Sequence, residues 1–200
     1  VSLVGEHKLL AEGADFYAEF NQRTDRWGGD YKARLALPLE VIRAVREAVG
    51  AGFVVGMRLS QSMVTDSQLK WDGGVEAARY RFATLASAGL DYIHVTEGDI
   101  SAPAFEEGES LAAIAKGAVE IPIIGNGAIG TGEQAQQLLD AGVLDFLAIG
   151  KAALANHDWP LRVQEKAPLS AFDYEMFSPM ATITNELAWR GTHGRSAVRR

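Results

Sequence analysis

Two glycine-rich turns in the second half of the chain combine residue types that can bind an anion. The stretches IIGNGAIGTGEQA at 123–135 and FLAIGKAALA at 146–155 each run from an apolar segment into the start of a predicted helix. Backbone N–H groups at such turns bind phosphates well, and glycine lets the main chain approach closely. The pattern predicts an anion site, although glycines in an ordinary turn with positive φ give the same spacing. The candidate ligand residues are Asn126, Gly127, Ala128, Gly150 and Lys151.

Two further charged residues end predicted strands. Arg58 stands near the end of FVVGMRLS, and Glu97 near the end of YIHVTEG. A cation at the carboxyl end of a buried parallel strand faces the active end of a barrel, so we interpret Arg58 as a site residue, with a surface arginine as the alternative. Glu97 is either a cleft residue or a solvated carboxylate. His94 lies inside an apolar run and is predicted to be a core residue with its hydrogen bonds satisfied.

A loose repeat determines which elements position these residues. Three times an amphipathic helix ends in Ala-Gly or Gly-Ala-Gly, and a short apolar strand follows, as in AGLDYIHV and AGVLDFLAIG. Apolar strands that alternate with helices indicate a parallel sheet covered on both faces. An open doubly wound sheet and part of a (βα)8 barrel both fit this pattern. The predicted strands lie near residues 1–4, 53–60, 92–97, 121–125 and 146–150.

Composition limits the function classes. The chain has 200 residues, 48% of them hydrophobic, and a net charge of −7, which provides no basic surface for nucleic acid or an anionic membrane. The absence of cysteine excludes disulfides and Cys-ligated metals, and no apolar run has the roughly 20 residues needed to cross a bilayer. We therefore expect a cytoplasmic protein with a small-molecule substrate. Because the chain begins with Val1 in an apolar stretch, we also expect a fragment of a longer protein.

The sequence resembles the old yellow enzyme family, the FMN-dependent NADH:flavin oxidoreductases. The resemblance begins in NQRTDRWGGDYKARLALPLEVIRAVREAVG and includes GMRLS, AGLDYIHVTEG and IPIIGNGAIGTGEQAQQLLDAGVLDFLAIGKAALANHDWP, with a weaker match at FSPMATI. Its most specific residues are Asn21, Arg23, Thr24, Asp25, Trp27, Gly28 and Gly29. We expect Arg23 and Asp25 to pair and hold their turn rather than to contact a ligand.

The resemblance implies a fold and its boundaries. Family members are (βα)8 barrels that carry FMN at the carboxyl ends of the strands. This chain would supply a partial TIM barrel, from about strand four to strand eight. Residues 1–165 would form the C-terminal part of the FMN-binding barrel, and residues 166–200 a terminal helix and tail of the same domain. With half of the barrel wall absent, exposed strand edges should favour association, and residues 1–200 alone should bind FMN weakly.

The resemblance also implies roles for the candidate residues. The turns after strands seven and eight would hold the FMN phosphate through the backbone of Gly127, Ala128 and Gly150 and through Lys151, with Asn126 shaping the first turn. The family usually has Arg where this chain has Lys151, so the contact would be a point charge rather than a bidentate fork. Arg58 would lie beside the flavin pyrimidine and stabilise negative charge on the reduced ring.

The usual substrate clamp is where the sequence departs from the family. Enone reductases of the family carry His, then His or Asn three positions later, then Tyr two further on. Aligned from Val1, Val4 stands at the first position, His7 at the second and Leu9 at the Tyr. His7 is therefore the candidate catalytic residue, although an ungapped alignment backwards from Asn21 shifts the frame by one residue.

The expected activity is oxidoreductase chemistry. FMN would take hydride from NAD(P)H and pass it to an electron-poor alkene or related acceptor. The alternatives are a phosphate-binding barrel with lyase or isomerase chemistry, and a catalytically silent barrel fragment. The expected partners are a small-molecule substrate and a possible second copy of the chain, with no nucleic acid, membrane or metal.

Overall fold

The computed structural model describes Tyr17, residues 20–63, Asp66 and residues 68–193. The chain separates into two compact units, Val1–Gly150 and Lys151–Arg200. No helix within the described ranges is long and apolar enough to span a membrane. The predicted strand near residues 1–4 and the candidate catalytic residue His7 lie outside the described residues.

The first unit alternates strands and helices along the chain. A short 3-10 turn, Ala33–Leu35, leads into the first helix. The helices are α1 (Ala36–Val49), α2 (Gly74–Ala86), α3 (Leu111–Ala118) and α4 (Gly132–Asp140). The strands are β1 (Gly56–Leu59), β2 (Tyr92–Thr96), β3 (Ile123–Asn126) and β4 (Phe146–Leu147).

The four strands form one parallel sheet in the order β1-β2-β3-β4. Sequential parallel neighbours, each joined by a helix, confirm the predicted βα organisation. The register aligns Arg58 with His94 and Thr96 with Asn126. Side chains in register on neighbouring strands point to the same face, so these four polar residues share one face of the sheet.

Polar side chains cap the N-termini of helices α3 and α4. Helix α4 begins with a capping box in which the Thr131 hydroxyl accepts from the backbone N–H of Gln134 and the Gln134 side chain accepts from that of Thr131. The Ser110 hydroxyl caps α3 by accepting from the N–H of Ala113. These caps satisfy N–H groups that a helix cannot satisfy itself.

The core lies on the opposite face of the sheet. Residues alternate along β2 between fully buried Ile93 and Val95 and partly exposed neighbours. Helices α2 and α3 pack together and supply apolar side chains such as Phe82 and Ile114, both 0% exposed. The face that carries Arg58 is more open, because Phe146 on that side is 59% exposed. The alternation differs from the predicted burial on both faces, since the described residues do not bury the second face.

Two aspartates fasten strand starts by the same pattern. The Asp91 carboxylate accepts from the backbone N–H of Val55 at 2.7 Å and pairs with Arg46 of α1. The Asp145 carboxylate accepts from the N–H of Ile123 at 2.7 Å and from Lys116 Nζ of α3 at 2.7 Å. Each ion pair and its backbone hydrogen bond lower the pKa of the carboxyl.

Asp72, Arg34 and Arg81 form a charge cluster in the first unit. Asp72 binds Arg34 and Arg81 at 2.6 Å each, and both arginine side chains are almost completely buried. Arg81 also donates to the carbonyl of Asp72 at 2.9 Å. Two buried cations on one carboxylate satisfy charges that would otherwise be costly to bury. In the preceding loop Arg23 pairs with Asp25, which confirms the predicted pairing.

The observed strands are shorter than predicted. Phe53 and Val54 precede β1 and are exposed. The carbonyl of Phe53 and the N–H of Val55 bond to the side chains of Arg46 and Asp91 rather than to a neighbouring strand. Strand β4 contains only Phe146 and Leu147 and pairs with β3 alone.

The second unit is helical. It contains α5 (Lys151–Ala155), α6 (Trp159–Glu165), a 3-10 turn (Tyr174–Phe177) and α7 (Ile183–His193). Glu186 on α7 accepts from Arg190 Nε at 2.7 Å and lies 2.7 Å from His157 Nε2. Arg190 also donates to the carbonyl of Leu154 at 3.0 Å. This network connects α7 to the segment after α5 and confirms the predicted terminal helix.

Candidate functional site

Arg58 lies on the open face of the sheet and is exposed. Its Nε donates to the hydroxyl of Thr96 on the neighbouring strand at 2.8 Å. Its other guanidinium N–H groups donate to none of the described residues, and no carboxylate among them pairs with it. The structure therefore places the predicted site cation at the end of β1 with its charge uncompensated.

His94 is the neighbour of Arg58 in the sheet register. Its Nε2 atom is buried and has no hydrogen-bond partner within the described part of the chain. Burial, together with the nearby charge of Arg58, lowers the pKa of His94. The prediction of a core histidine with satisfied hydrogen bonds is wrong, because His94 lies in the same row as Arg58 on the open face and its Nε2 atom has no partner among the described residues. The neutral ring leaves Arg58 as the cation of this row.

Glu97 follows Thr96 and turns to the loop after β1. Its carboxylate accepts from the backbone N–H of Gln61 at 2.6 Å and lies 3.5 Å from the Ser62 hydroxyl. Burial raises the pKa of the Glu97 carboxyl, and the hydrogen bond from Gln61 opposes that rise. Glu97 is therefore a partly buried acceptor that connects the residue after β2 to the loop after β1, and not a solvated carboxylate. A role for Glu97 in the cleft stays a prediction.

Gly125 in β3 and Gly127 in the turn after it each lie where an added side chain would collide with a neighbour. At Gly127, where φ is +148°, an added Cβ would lie 2.4 Å from the carbonyl oxygen of Glu97 and 2.9 Å from the N–H of Ile100. The turn therefore packs its main chain against the loop after β2, and only glycine fits. At Gly125 an added Cβ would instead meet the side chain of Leu144 at 2.5 Å. Ala128 also takes a positive φ, +52°.

The turns after β3 and β4 leave backbone donors available. Across the described residues, the N–H groups of Gly127, Ala128 and Gly150 donate to no acceptor. The Asn126 side chain spans the two turns, since its Nδ2 donates to the carbonyl of Ala148 at 2.6 Å. Unpaired N–H groups at the carboxyl ends of parallel strands suit an anionic ligand.

Lys151 opens the second unit, as the first residue of α5. Its Nζ lies 4.9 Å from the centroid of the Tyr174 ring in the same unit. The predicted helix start at Lys151 is confirmed, and its contact with a phosphate stays a prediction. The first unit thus brings together Arg58, Asn126, Gly127, Ala128 and Gly150 on neighbouring strand ends and turns.

The arrangement combines one uncompensated cation with neutral backbone donors. No group of three or more His, Asp or Glu side chains that could hold a metal ion occurs in the described ranges. Arg58 on β1 and the turn N–H groups beyond β3 and β4 are donors that suit an anionic ligand.

The sequence profile of the NADH:flavin oxidoreductase / NADH oxidase family matches residues 14–170. The chain belongs to this family. The resemblance to old yellow enzymes is thereby confirmed over most of the sequence. Among family relatives, the NADH oxidase of Thermoanaerobacter brockii is 30% identical over 174 residues, which cover 82% of this chain and 26% of that protein. The NADH:fumarate oxidoreductase of Klebsiella pneumoniae is 28% identical over 185 residues, covering 86% of this chain and 19% of that protein.

Solved structures agree with the family assignment. Morphinone reductase in complex with tetrahydroNAD superposes with a TM-score of 0.68 at 29% identity, covering 81% of this chain and 42% of that chain. This likeness confirms the predicted partial barrel of the family. The chain thus spans less than half of the length of these relatives.

Thr96 is the site residue that sequence reasoning missed. A threonine at the end of an apolar strand has no chemical signature of its own, because the same residue is common in any strand. Its significance depends on the register that sets it beside Asn126 on one side and lets it reach Arg58 on the other. The signal available in the sequence was the matching position of polar residues at the ends of neighbouring strands.

Proposed function

We propose that the protein is an FMN-dependent oxidoreductase that passes hydride from NAD(P)H through flavin to an electron-poor alkene or related acceptor. One observation carries this proposal. At the carboxyl ends of the strands, the outer guanidinium N–H groups of Arg58 on β1 and the turn N–H groups of Gly127, Ala128 and Gly150 are donors without described acceptors. Bound FMN would supply the hydride chemistry. The chain's own residues would bind and orient it.

The phosphate of FMN fits the turns. Their N–H groups donate to no acceptor among the described residues, and Gly127 lets the main chain lie where a side chain would collide. A phosphate there would satisfy N–H groups that otherwise lack a partner. Lys151, which follows Gly150 in the sequence, is predicted to add a charge-assisted hydrogen bond.

The flavin ring fits the open face near Arg58. A fixed cation beside the pyrimidine stabilises negative charge on the reduced ring. Arg58 is suited to this because no described carboxylate neutralises it and neutral His94 lies beside it.

The relatives' names support the donor and the acceptor class. They include an NADH oxidase and an NADH:fumarate oxidoreductase, and fumarate is an electron-poor alkene. Morphinone reductase was solved with tetrahydroNAD. His7 remains the proposed contact for the acceptor carbonyl.

Flavin titration of the purified protein tests the proposal. We expect FMN to bind more tightly than riboflavin, which lacks the phosphate, and NADH to bleach the bound flavin under anaerobic conditions. Equal affinity for FMN and riboflavin, or no flavin binding at all, would contradict the proposal.

A further inference from the structure

We propose that Thr96 is a positioning residue whose hydroxyl fixes the guanidinium of Arg58, so that the remaining guanidinium N–H groups are presented to a ligand on the open face of the sheet. The contact joins neighbouring strands, from Arg58 Nε on β1 to Thr96 Oγ1 on β2, at 2.8 Å. The two residues stand 38 positions apart in the sequence.

Threonine suits this role better than a flexible polar residue would. Its two heavy atoms on Cβ restrict χ1, so the direction of the hydroxyl is set by the backbone of β2. The bond engages Nε and leaves the outer edge of the guanidinium, with both Nη atoms, free of described acceptors. A free arginine side chain has many rotamers, and a bond at Nε reduces the rotamer entropy that a ligand must still remove on binding.

The surroundings keep the charge of Arg58 available. No described carboxylate pairs with it, unlike Arg34, Arg46 and Arg81, each of which binds an aspartate. A threonine hydroxyl orients the guanidinium without cancelling its charge, which a carboxylate would do. Partly buried His94, next in register, is held toward the neutral state and adds no competing charge.

Applied to flavin, the inference rests on the function proposed above. The reduced cofactor carries more negative charge than the oxidised one, so an oriented cation discriminates between them. Loss of the Thr96 hydroxyl should therefore weaken binding of reduced FMN more than binding of oxidised FMN. A merely structural role would weaken both forms equally.

The first test needs no cofactor. In Thr96→Val, which keeps the shape and removes the hydroxyl, the NMR signal of the Arg58 Nε–H should exchange with water faster than in the parent. Thr96→Ser should restore slow exchange, and Thr84→Val on helix α2 should leave it unchanged. Arg58→Lys assigns the signal by its loss. Identical exchange in the parent and Thr96→Val would overturn the proposal.

The second test compares the two redox forms of FMN. We expect Thr96→Val to reduce affinity for reduced FMN about tenfold more than affinity for oxidised FMN, which corresponds to a midpoint potential about 30 mV lower for a two-electron couple. Thr96→Ser should keep the parent potential. An equal loss for both forms would overturn the assignment of Thr96 as a residue that presents charge.

The two tests separate the inference from the proposed function. If the protein binds no flavin while the Arg58 Nε–H still depends on the Thr96 hydroxyl, the proposed function fails and the positioning role stands. If flavin binds but the Nε–H does not respond to Thr96→Val, the positioning role fails and the proposed function stands.

Discussion

The carboxylate of Glu97 accepts a hydrogen bond of 2.6 Å from the backbone N–H of Gln61. This bond joins the residue after β2 to the loop after β1, next to the bond between Arg58 and Thr96. The same carboxylate is partly buried, and burial raises its pKa. Because the pKa of the Glu97 carboxyl differs between the folded and the unfolded protein, the free energy of unfolding depends on pH.

Glu97→Gln should remove that dependence. The folded-state pKa lies above the ordinary value of 4.5, so the folded protein binds more protons than the unfolded chain as pH rises from 4.5 through the folded pKa. As pH rises through this window, the free energy of unfolding of the parent should fall relative to that of Glu97→Gln. Above the window, the difference between the two proteins should stay constant. Urea unfolding between pH 4 and 8 measures this. Glu107→Gln in an exposed loop is the control, and a pH-independent difference for Glu97→Gln would refute the prediction.

Asp72→Asn should destabilise the protein strongly. The substitution removes the carboxylate that pairs with two almost completely buried arginines, Arg34 and Arg81, and breaking such a pair costs on the order of 3 kcal/mol. Glu40→Gln is the matched control, because the pair between Arg26 and Glu40 is well exposed and should contribute less than about 1 kcal/mol. Urea unfolding of both variants checks the ranking. Equal effects would show that burial of the two arginines does not depend on Asp72.

Gly127→Ala should destabilise the turn after β3. Its Cβ would lie 2.4 Å from the carbonyl oxygen of Glu97, which is main chain and cannot move aside easily. Together with the positive φ, we expect a loss of about 1–3 kcal/mol or more. Gly52→Ala is the control, since no atom lies within 4 Å of its added Cβ and its φ is ordinary. Thermal unfolding of the two variants tests this, and similar midpoints would disprove the close approach.

Lys151→Ala should weaken FMN binding roughly tenfold to a hundredfold, because a charge-assisted hydrogen bond to phosphate contributes about 1.5–3 kcal/mol. Affinity for riboflavin should change little, and Lys151→Arg should bind FMN at least as tightly as the parent. Titrations with both flavins measure these effects. If Lys151 serves only the contact with Tyr174, FMN affinity in Lys151→Ala will equal that of the parent.

The repeat of helix, Ala-Gly and apolar strand made the parallel sheet predictable. The glycine turn at Gly127 also lies between a strand and a helix, where the sequence placed it. These features depend on residues close in the sequence, where local backbone rules apply.

Long-range pairing could not be predicted. The residues around Arg81 in the sequence do not indicate that it is buried. Its burial depends on Asp72, which also binds Arg34, a residue 38 positions before Asp72 in the sequence. Thr96 and the unpaired ring of His94 likewise acquire meaning only from the strand register. His7 lies outside the described residues, so its catalytic role stays a prediction.

The aspartate clamps bear on how the chain assembles during synthesis. Asp91 binds the N–H of Val55, 36 residues earlier, and Asp145 binds that of Ile123, 22 residues earlier. Each clamp connects a strand only to the unit made just before it, so a chain leaving the ribosome can fix one alignment before the next strand is translated. A slip by two residues would forfeit both the amide bond and the ion pair. Each strand pair can thus reach its correct register in turn, because the loops that close are short and the later strands of the sheet are not required.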